Sequence, residues 1–530
     1  MKLLYQSSRS LAFELENDAI YQSPKPYDVR VNGTLVLPQV STNVFSLFDL
    51  EPDRVYHVEA DTQSLTAATL PESVKIDVLA WGVKGDGESD DTAAIQFALD
   101  KAPEDATLYF PKGTYRCGAL FLRDKKTIYL AKDATLLGHV SRDAYPILPA
   151  WQKGPTGEMV ETSSWEGEAA STHASLITAL FVQNVRIVGE GTIDGNAQNA
   201  DWWKNHKVLQ NGAWRPKLVF LSWSKGISLH GITVKNSPSW TIHPYFSEDI
   251  DIIDVKIQNP KDSPNTDGCN PESSRDVRII GVDFSVGDDC IAIKSGKVAI
   301  GMKYRRPSER IAIRNCRMRF GHGAVVLGSE MSGGIRDLEV SRCLFEDTDR
   351  GLRVKTRRGR GESAVIDGIV FKDIRMDGVL TPLVVNMFYN CDPLDGKTEY
   401  VWSKNALPVD ERTPYLGRFV FENIACTNVE VAAGYFYGLP ERPIGAIELK
   451  NVSFSYKERR TPGYPAMMCQ IDKMEGAGLH FHHVKEVLTE HVTIQAPNGP
   501  DVLYDRVERL TNLADGVDHG VHPFYNGNSQ

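Results

Sequence analysis

The sequence predicts an all-β protein, a right-handed parallel β-helix preceded by a small β-sandwich, and three observations carry that prediction. A short template, apolar-x-apolar-x-x-apolar-x-apolar, recurs eight times between residues 227 and 454. The spacing between copies varies while the copy itself does not, which suits stacked coils whose loops absorb differences in length. The first seventy residues alternate in a different rhythm, broken by turn residues.

Taken in order, residues 1–72 contain YDVRVNGTLVL and VFSLFDLEPDRVYHVEA, alternating segments that predict paired strands. LEPDRVYHVEA resembles the end of a fibronectin type III module, so 1–72 is expected to be a sandwich of that kind. PESVKIDVLAWG is then the linker into a β-helical domain spanning 73–530. SDDTAAIQFALDKA (89–102) has helical spacing at Ala93, Ile95, Ala98 and Leu99, with Ser89 or Asp90 as N-cap, and would cover the open end of the coil.

The template then runs through Ile227/Leu229/Ile232/Val234, Ile250/Ile252/Val255/Ile257, Val277/Ile279/Val282/Phe284, Ile311/Ile313/Cys316/Met318 and Leu338/Val340/Cys343/Phe345. It continues at Ile369, Phe419 and Ile447, with starts 23, 27, 34, 27, 31, 50 and 28 residues apart. The step of three in its middle marks a turn that keeps both apolar faces inward. Hairpins would need Asn-Gly or Asp-Gly pairs there, and leucine-rich repeats a tighter period. Segments 145–176 and 391–417 lack the repeat and read as rim loops or lids.

Composition narrows the function. A net charge of -10 and a pI near 5.8 argue against nucleic acid or an acidic membrane as partner. A mean hydropathy of -0.29 and no long apolar run exclude a helical membrane span. The eight cysteines are scattered without metal-ligand spacing and read as reduced core thiols, Cys316 and Cys343 in equivalent inward slots, so neither metal nor other cofactor is expected. Only a three-residue apolar run follows Lys2, so the protein is expected in the cytoplasm, or in the periplasm or outside the cell if a leader has been removed.

Four polar clusters interrupt the template: NTDG (265–268), GDDC (287–290), GHG (321–323) and RGLRVKTRRGRG (350–361). Their spacings are single coils, and coils stack at about 4.8 Å. Asp267, Asp288, Asp289, His322, Arg353 and Lys355 would therefore meet on one face. Crowded carboxylates raise the pKa of one while nearby cations keep the others ionised, which supplies an acid beside a base for glycoside hydrolysis. Arg353, Lys355, Arg357, Arg358 and Arg360 suit a uronate carboxylate, with a solvated basic turn as the bland alternative. Asn265 reads as a turn cap or a substrate contact, and Trp240, His243 and Tyr245 as a sugar-stacking surface or core.

NTDG, GDD, GHG and R-x-K in this order resemble glycoside hydrolase family 28, the polygalacturonase family, as do GEGTIDG (189–195), RPKLVFL (215–221), NSPSWTIHP (236–244), AIKSG (292–296) and GSEMSGG (328–334). The resemblance covers roughly residues 74–490. It implies a parallel β-helix that hydrolyses galacturonate chains with inversion, Asp288 as general acid, Asp267 and Asp289 holding and deprotonating water, and His322 tuning the acid. Arg353 and Lys355 would grip the substrate carboxylate, and Tyr389 takes the place of a tyrosine near that subsite. The missing leader and long rim insertions favour a bacterial exo-acting enzyme of α-1,4-linked galacturonate. Inversion calls for acid and base carboxyls roughly 6.5–9.5 Å apart. Rival readings are rhamnogalacturonan or xylogalacturonan hydrolysis, a calcium-dependent pectate lyase, and a noncatalytic carbohydrate-binding β-helix.

Overall fold

The computed structural model describes residues 1–390, 398–512 and 517–520. Seven strands open the chain: β1 (Lys2–Gln6), β2 (Leu11–Glu14), β3 (Gln22–Val31), β4 (Thr34–Thr42), β5 (Val44–Leu47), β6 (Val55–Ala60) and β7 (Gln63–Ala68). They form two antiparallel sheets, β1-β2-β5 and β4-β3-β6-β7, closed over Phe13, Val29, Phe45 and Val58. The β3–β4 turn is an Asn-Gly pair, Asn32 at φ 50° and Gly33 at φ 80°, the left-handed geometry that matches strand twist. The expected linker does more than connect, because Lys75–Asp77 pairs in parallel with Ala106–Phe110 as the first strand of the coil.

From there one large sheet system winds as a parallel β-helix over a continuous core of Ile, Val, Leu and Phe ladders. Its first two ladders are the template strands, as in Lys225–His230 against Glu248–Ile253 and Thr233–Lys235 against Lys256–Gln258. The step of three has a physical cause. Gly231, Asp254, Gly281, Asn315, Arg342, Asp373, Asn423 and Asn451 occupy that position in the eight units, each at φ between 51° and 79°. One left-handed residue bends the strand, and Gly, Asn and Asp tolerate that conformation best.

A third ladder, which the template does not describe, runs through Val219–Ser222, Ile242–Tyr245, single bridges at Cys269 and Glu272, Ile291–Ile293, Val325–Gly328, Arg350–Lys355 and Thr381–Asn386. Several of these are buried on both faces, so they carry no alternation to read. The helix is Thr92–Lys101, and Ile95, Ala98 and Leu99 close the end of the coil as expected while Ala93 faces solvent. Asp90 accepts from the Thr92 amide at the head of the helix at 3.0 Å, but the N-cap position itself falls one residue later. Asp91 holds that position with its carboxylate turned back onto the Lys84 and Gly85 amides, and Ser89 bonds Asp86.

The sandwich seats on the outer face of the first ladder. Buried Glu14 accepts from Arg314 Nε at 2.7 Å and Asn315 Nδ2 at 2.6 Å. Fully buried His230 lies between Ser10 and Ser46, and Ser46 donates to Asp254. All seven described cysteines are buried, and Cys117, Cys269, Cys290, Cys316, Cys343 and Cys426 are free; Cys391 lies outside the described residues. No helix among the described residues is long and apolar enough to cross a membrane.

Candidate active site

The third ladder and the turns leading into it carry the site. Asn265, at φ 55°, turns the chain so that Asp267 enters the cleft, and the next coil lies directly beneath: Gly268 N–H donates to Asp289 O at 3.0 Å. Position 268 must be glycine, because a Cβ there would sit 2.5 Å from Cys290 O. One coil on, His322 N–H donates to Asp288 O, and Ala324 N–H donates to Arg350 O at the head of the strand that presents Arg353 and Lys355. Asp267, Asp288, Asp289, His322, Arg353 and Lys355 are thus gathered in one cleft.

One oxygen from each of Asp267, Asp288 and Asp289 lies within 4.8 Å of the others. That is closer than the roughly 6.5–9.5 Å expected between an inverting pair of carboxyls. Oxygens this close fit a single water bridging two of them, about 2.7–2.8 Å from each. Three carboxylates could also chelate a cation, but Lys355 Nζ is 2.7 Å from Asp289 Oδ2 and Arg353 Nη1 3.6 Å from Asp289 Oδ1, so that charge is already opposed.

The environments separate the three acids. Burial, with Asp288 and Asp289 as neighbouring charges, raises the Asp267 carboxyl well above the ordinary range, although Asn270 Nδ2 donates to it at 2.7 Å. Burial also pushes Asp288 up, but His322 at 3.4 Å, Lys355 and the Asp289 amide outweigh it and bring Asp288 down to about 2. The Asp288 pairing in turn raises His322 to about 9. Of the two shifted acids Asp267 thus holds a proton the more readily, beside an Asp288 that ionises readily and a His322 that keeps its proton. The pair's stabilisation is complete above pH 3.8 and below pH 6.5, and fades as pH falls through about 2 or rises through about 9. Titration of His322 by NMR should give a pKa near 9 that moves toward 6.5 in Asp288→Asn; a wild-type value near 6.5 would refute the pairing.

Other expected contacts fall differently. Tyr389 does border the cations, its ring centre 5.7 Å from Lys355 Nζ and 6.0 Å from Arg353 Cζ. His243 is a correction: it is fully buried, with Nε2 2.9 Å from Glu272, and reaches no sugar. Tyr245 is equally buried. Trp240 is 6% exposed with Lys294 and Lys217 ammonium groups 4.9 and 5.4 Å from its ring centre, which leaves little surface for stacking. Asn265 accepts from Arg215 Nη2 at 2.8 Å and caps no backbone group. Arg358 is structural, 1% exposed and bonded to Glu441, Ser403 and Asn405, and Arg357 and Arg360 are buried too, so the basic run is no solvated turn.

Sequence reasoning missed the buried polar layer beside the triad. Lys294 Nζ bonds Glu330 at 2.7 Å, and both charges act on neighbouring site residues. Lys217, held at about 7 by burial, donates to Ser164 O at 2.6 Å. Both lysines adjoin apolar runs, Ile291–Ile293 before Lys294 and residues 218–221 after Lys217, which was the available signal. Segment 145–176 folds as three small antiparallel pairs, and Trp165 stacks on Trp214 at 5.1 Å and 3°.

Fold and site together define a β-helical glycoside hydrolase. The model for glycosyl hydrolases family 28 matches residues 152–405, and one described as rhamnogalacturonase A/epimerase, pectate lyase-like, matches 75–138. A "Probable polygalacturonase" of Vitis vinifera is 32% identical over 72% of this chain and 75% of its own. An endo-polygalacturonase of Pectobacterium carotovorum is 27% identical over 65% of this chain and 81% of its own. The family 28 exopolygalacturonase structure of Yersinia enterocolitica superposes with TM-score 0.66 at 19% identity, covering 98% of this chain and 99% of that one. The chain belongs to glycosyl hydrolase family 28.

Proposed function

We propose that the protein hydrolyses α-1,4-galacturonosidic bonds of oligogalacturonides with inversion, from the non-reducing end. The observation that carries this reading is the aspartate triad set against the Arg353–Lys355 pair. A uronate carboxylate landing on those two cations would draw them from Asp289 and weaken the charge that holds Asp288 ionised. The proton on Asp267 could then pass within the triad to Asp288, which gives it to the leaving oxygen. Asp267 and Asp289 are left to orient and deprotonate the bridging water, which attacks the opposite face.

The exo mode rests on segment 145–176. Lys297 N–H donates to Gly167 O at 2.9 Å, Lys217 to Ser164 O, and Trp223 Nε1 to Glu161 O, so the excursion is tied to the coils that precede Asp267 and to the one that carries Asp288 and Asp289. Of segment 391–417, residues 391–397 lie outside the described residues; the rest is anchored by Arg358. The free buried thiols of Cys117, Cys269, Cys290, Cys316, Cys343 and Cys426 suit a cytoplasmic enzyme fed with short oligomers. The β1-β2-β5 and β4-β3-β6-β7 sheets support a fibronectin type III-like reading of 1–72.

Time-resolved NMR of trigalacturonate hydrolysis tests mechanism and mode together. Monogalacturonate should appear from the start as the β anomer, and the viscosity of long polygalacturonate should fall slowly. An initial α anomer contradicts inversion, and mixed oligomers with rapid thinning contradict exo attack. Unsaturated products would identify a lyase.

A further inference from the structure

The cleft has a second rim that the function above does not use. On the far side of the cation pair from Asp267, the segment between Tyr456 and Ala477 leaves its own coil and folds back over the strand carrying Arg353. It is fixed at its neck by paired bonds between Gly463 and Met474. The site itself holds its tip: Arg350 Nη2 donates to Tyr464 O at 2.6 Å, Arg353 Nη2 to Met467 Sδ at 3.4 Å, and Asn386 Nδ2 to Met467 O at 3.0 Å. Ala466 and Met468 face inward, with Met468 bridged to Tyr389, while Tyr464 and Met467 are 53% and 48% exposed.

Two large apolar side chains at the mouth of a charged cleft need a reason, and their neighbours supply one. Among the described residues Arg350 gives its guanidinium hydrogen bonds to the Asp349 and Tyr464 carbonyls and to no carboxylate. Burial, with Arg353 as a neighbouring charge, brings it down to about 10. Lys473 Nζ lies 5.6 Å from the Tyr464 ring centre. An aromatic ring offers a flat apolar surface to a sugar, and adjacent unpaired cations select one that bears a carboxylate.

We infer that Tyr464 and Met467, flanked by Arg350 and Lys473, form a second leaving-group subsite that takes the uronate beyond the one on Arg353 and Lys355. The inference rests on the galacturonosidase reading and adds chain-length preference to it. A dimer cannot reach this subsite; a tetramer cut at its first bond can.

The test compares kcat/KM for digalacturonate and tetragalacturonate in wild type, Tyr464→Ala and Tyr464→Phe. In Tyr464→Ala the tetramer-to-dimer ratio should fall about five- to tenfold, through KM and not kcat, with Tyr464→Phe restoring most of it. An unchanged ratio overturns the subsite, and a rising one would show the rim to be a barrier. A wild type that cleaves neither oligomer overturns the galacturonosidase reading itself. Thermal melting controls for folding, and the exposed ring of Tyr464 predicts an unshifted Tm.

Discussion

Asp288→Asn should fold as the wild type does, bind galacturonate oligomers, and turn them over about 10^3-fold more slowly. The carboxylate is half-buried, and its Oδ1 accepts the Asp289 amide at 2.8 Å, a bond that an asparagine oxygen can keep. What the amide cannot do is carry a proton to the leaving oxygen. The substitution also removes the charge that pairs with His322, so the proposed acid and its tuner would fail together. Reducing-sugar release on polygalacturonate reads the loss, and calorimetric titration with trigalacturonate reads the retained affinity. Turnover within tenfold of wild type would falsify the assignment of the acid.

The coil and the site differ in how much of each was legible. The template exposed two ladders because their residues alternate, and even its odd step has a local cause, the left-handed residue typified by Gly231 and Asn315. The third ladder escaped because Val219–Ser222 and Ile242–Tyr245 are buried on both faces and leave no period. The triad was legible for the same reason as the coils: Asp267, Asp288, Asp289 and His322 recur at coil spacing, so stacking alone brings them together. His243 was misplaced because its motif reveals proximity to the site but not depth, and depth is set by Glu272 from the next coil. The Tyr464 rim carried no signal, since its seat on Arg350, 114 residues away, is a purely tertiary contact.

Lys355→Met should cut kcat/KM on polygalacturonate by about 10^2- to 10^3-fold and lower the Tm as well. In the proposed mechanism Lys355 has two partners in sequence during turnover. In the free enzyme its Nζ sits 2.7 Å from Asp289 Oδ2, and both groups are nearly buried. Removing it leaves a buried carboxylate paired at 3.6 Å with Arg353, a loss of roughly 3–5 kcal/mol where a buried pair is broken from one side. With substrate bound, the same ammonium would hold the uronate carboxylate, and its transfer from one anion to the other couples binding to acid activation. The two roles separate experimentally. Methyl-esterified trigalacturonate has no carboxylate to lose, so the variant should be penalised far less on it than on the acid form, while the drop in Tm appears whatever the substrate. Lys355→Arg should restore stability better than activity, because a guanidinium can reach Asp289 but presents its charge in a different geometry. Equal losses on ester and acid would assign Lys355 to the support of Asp289 alone, and the uronate would then have to be recognised by Arg353 without it.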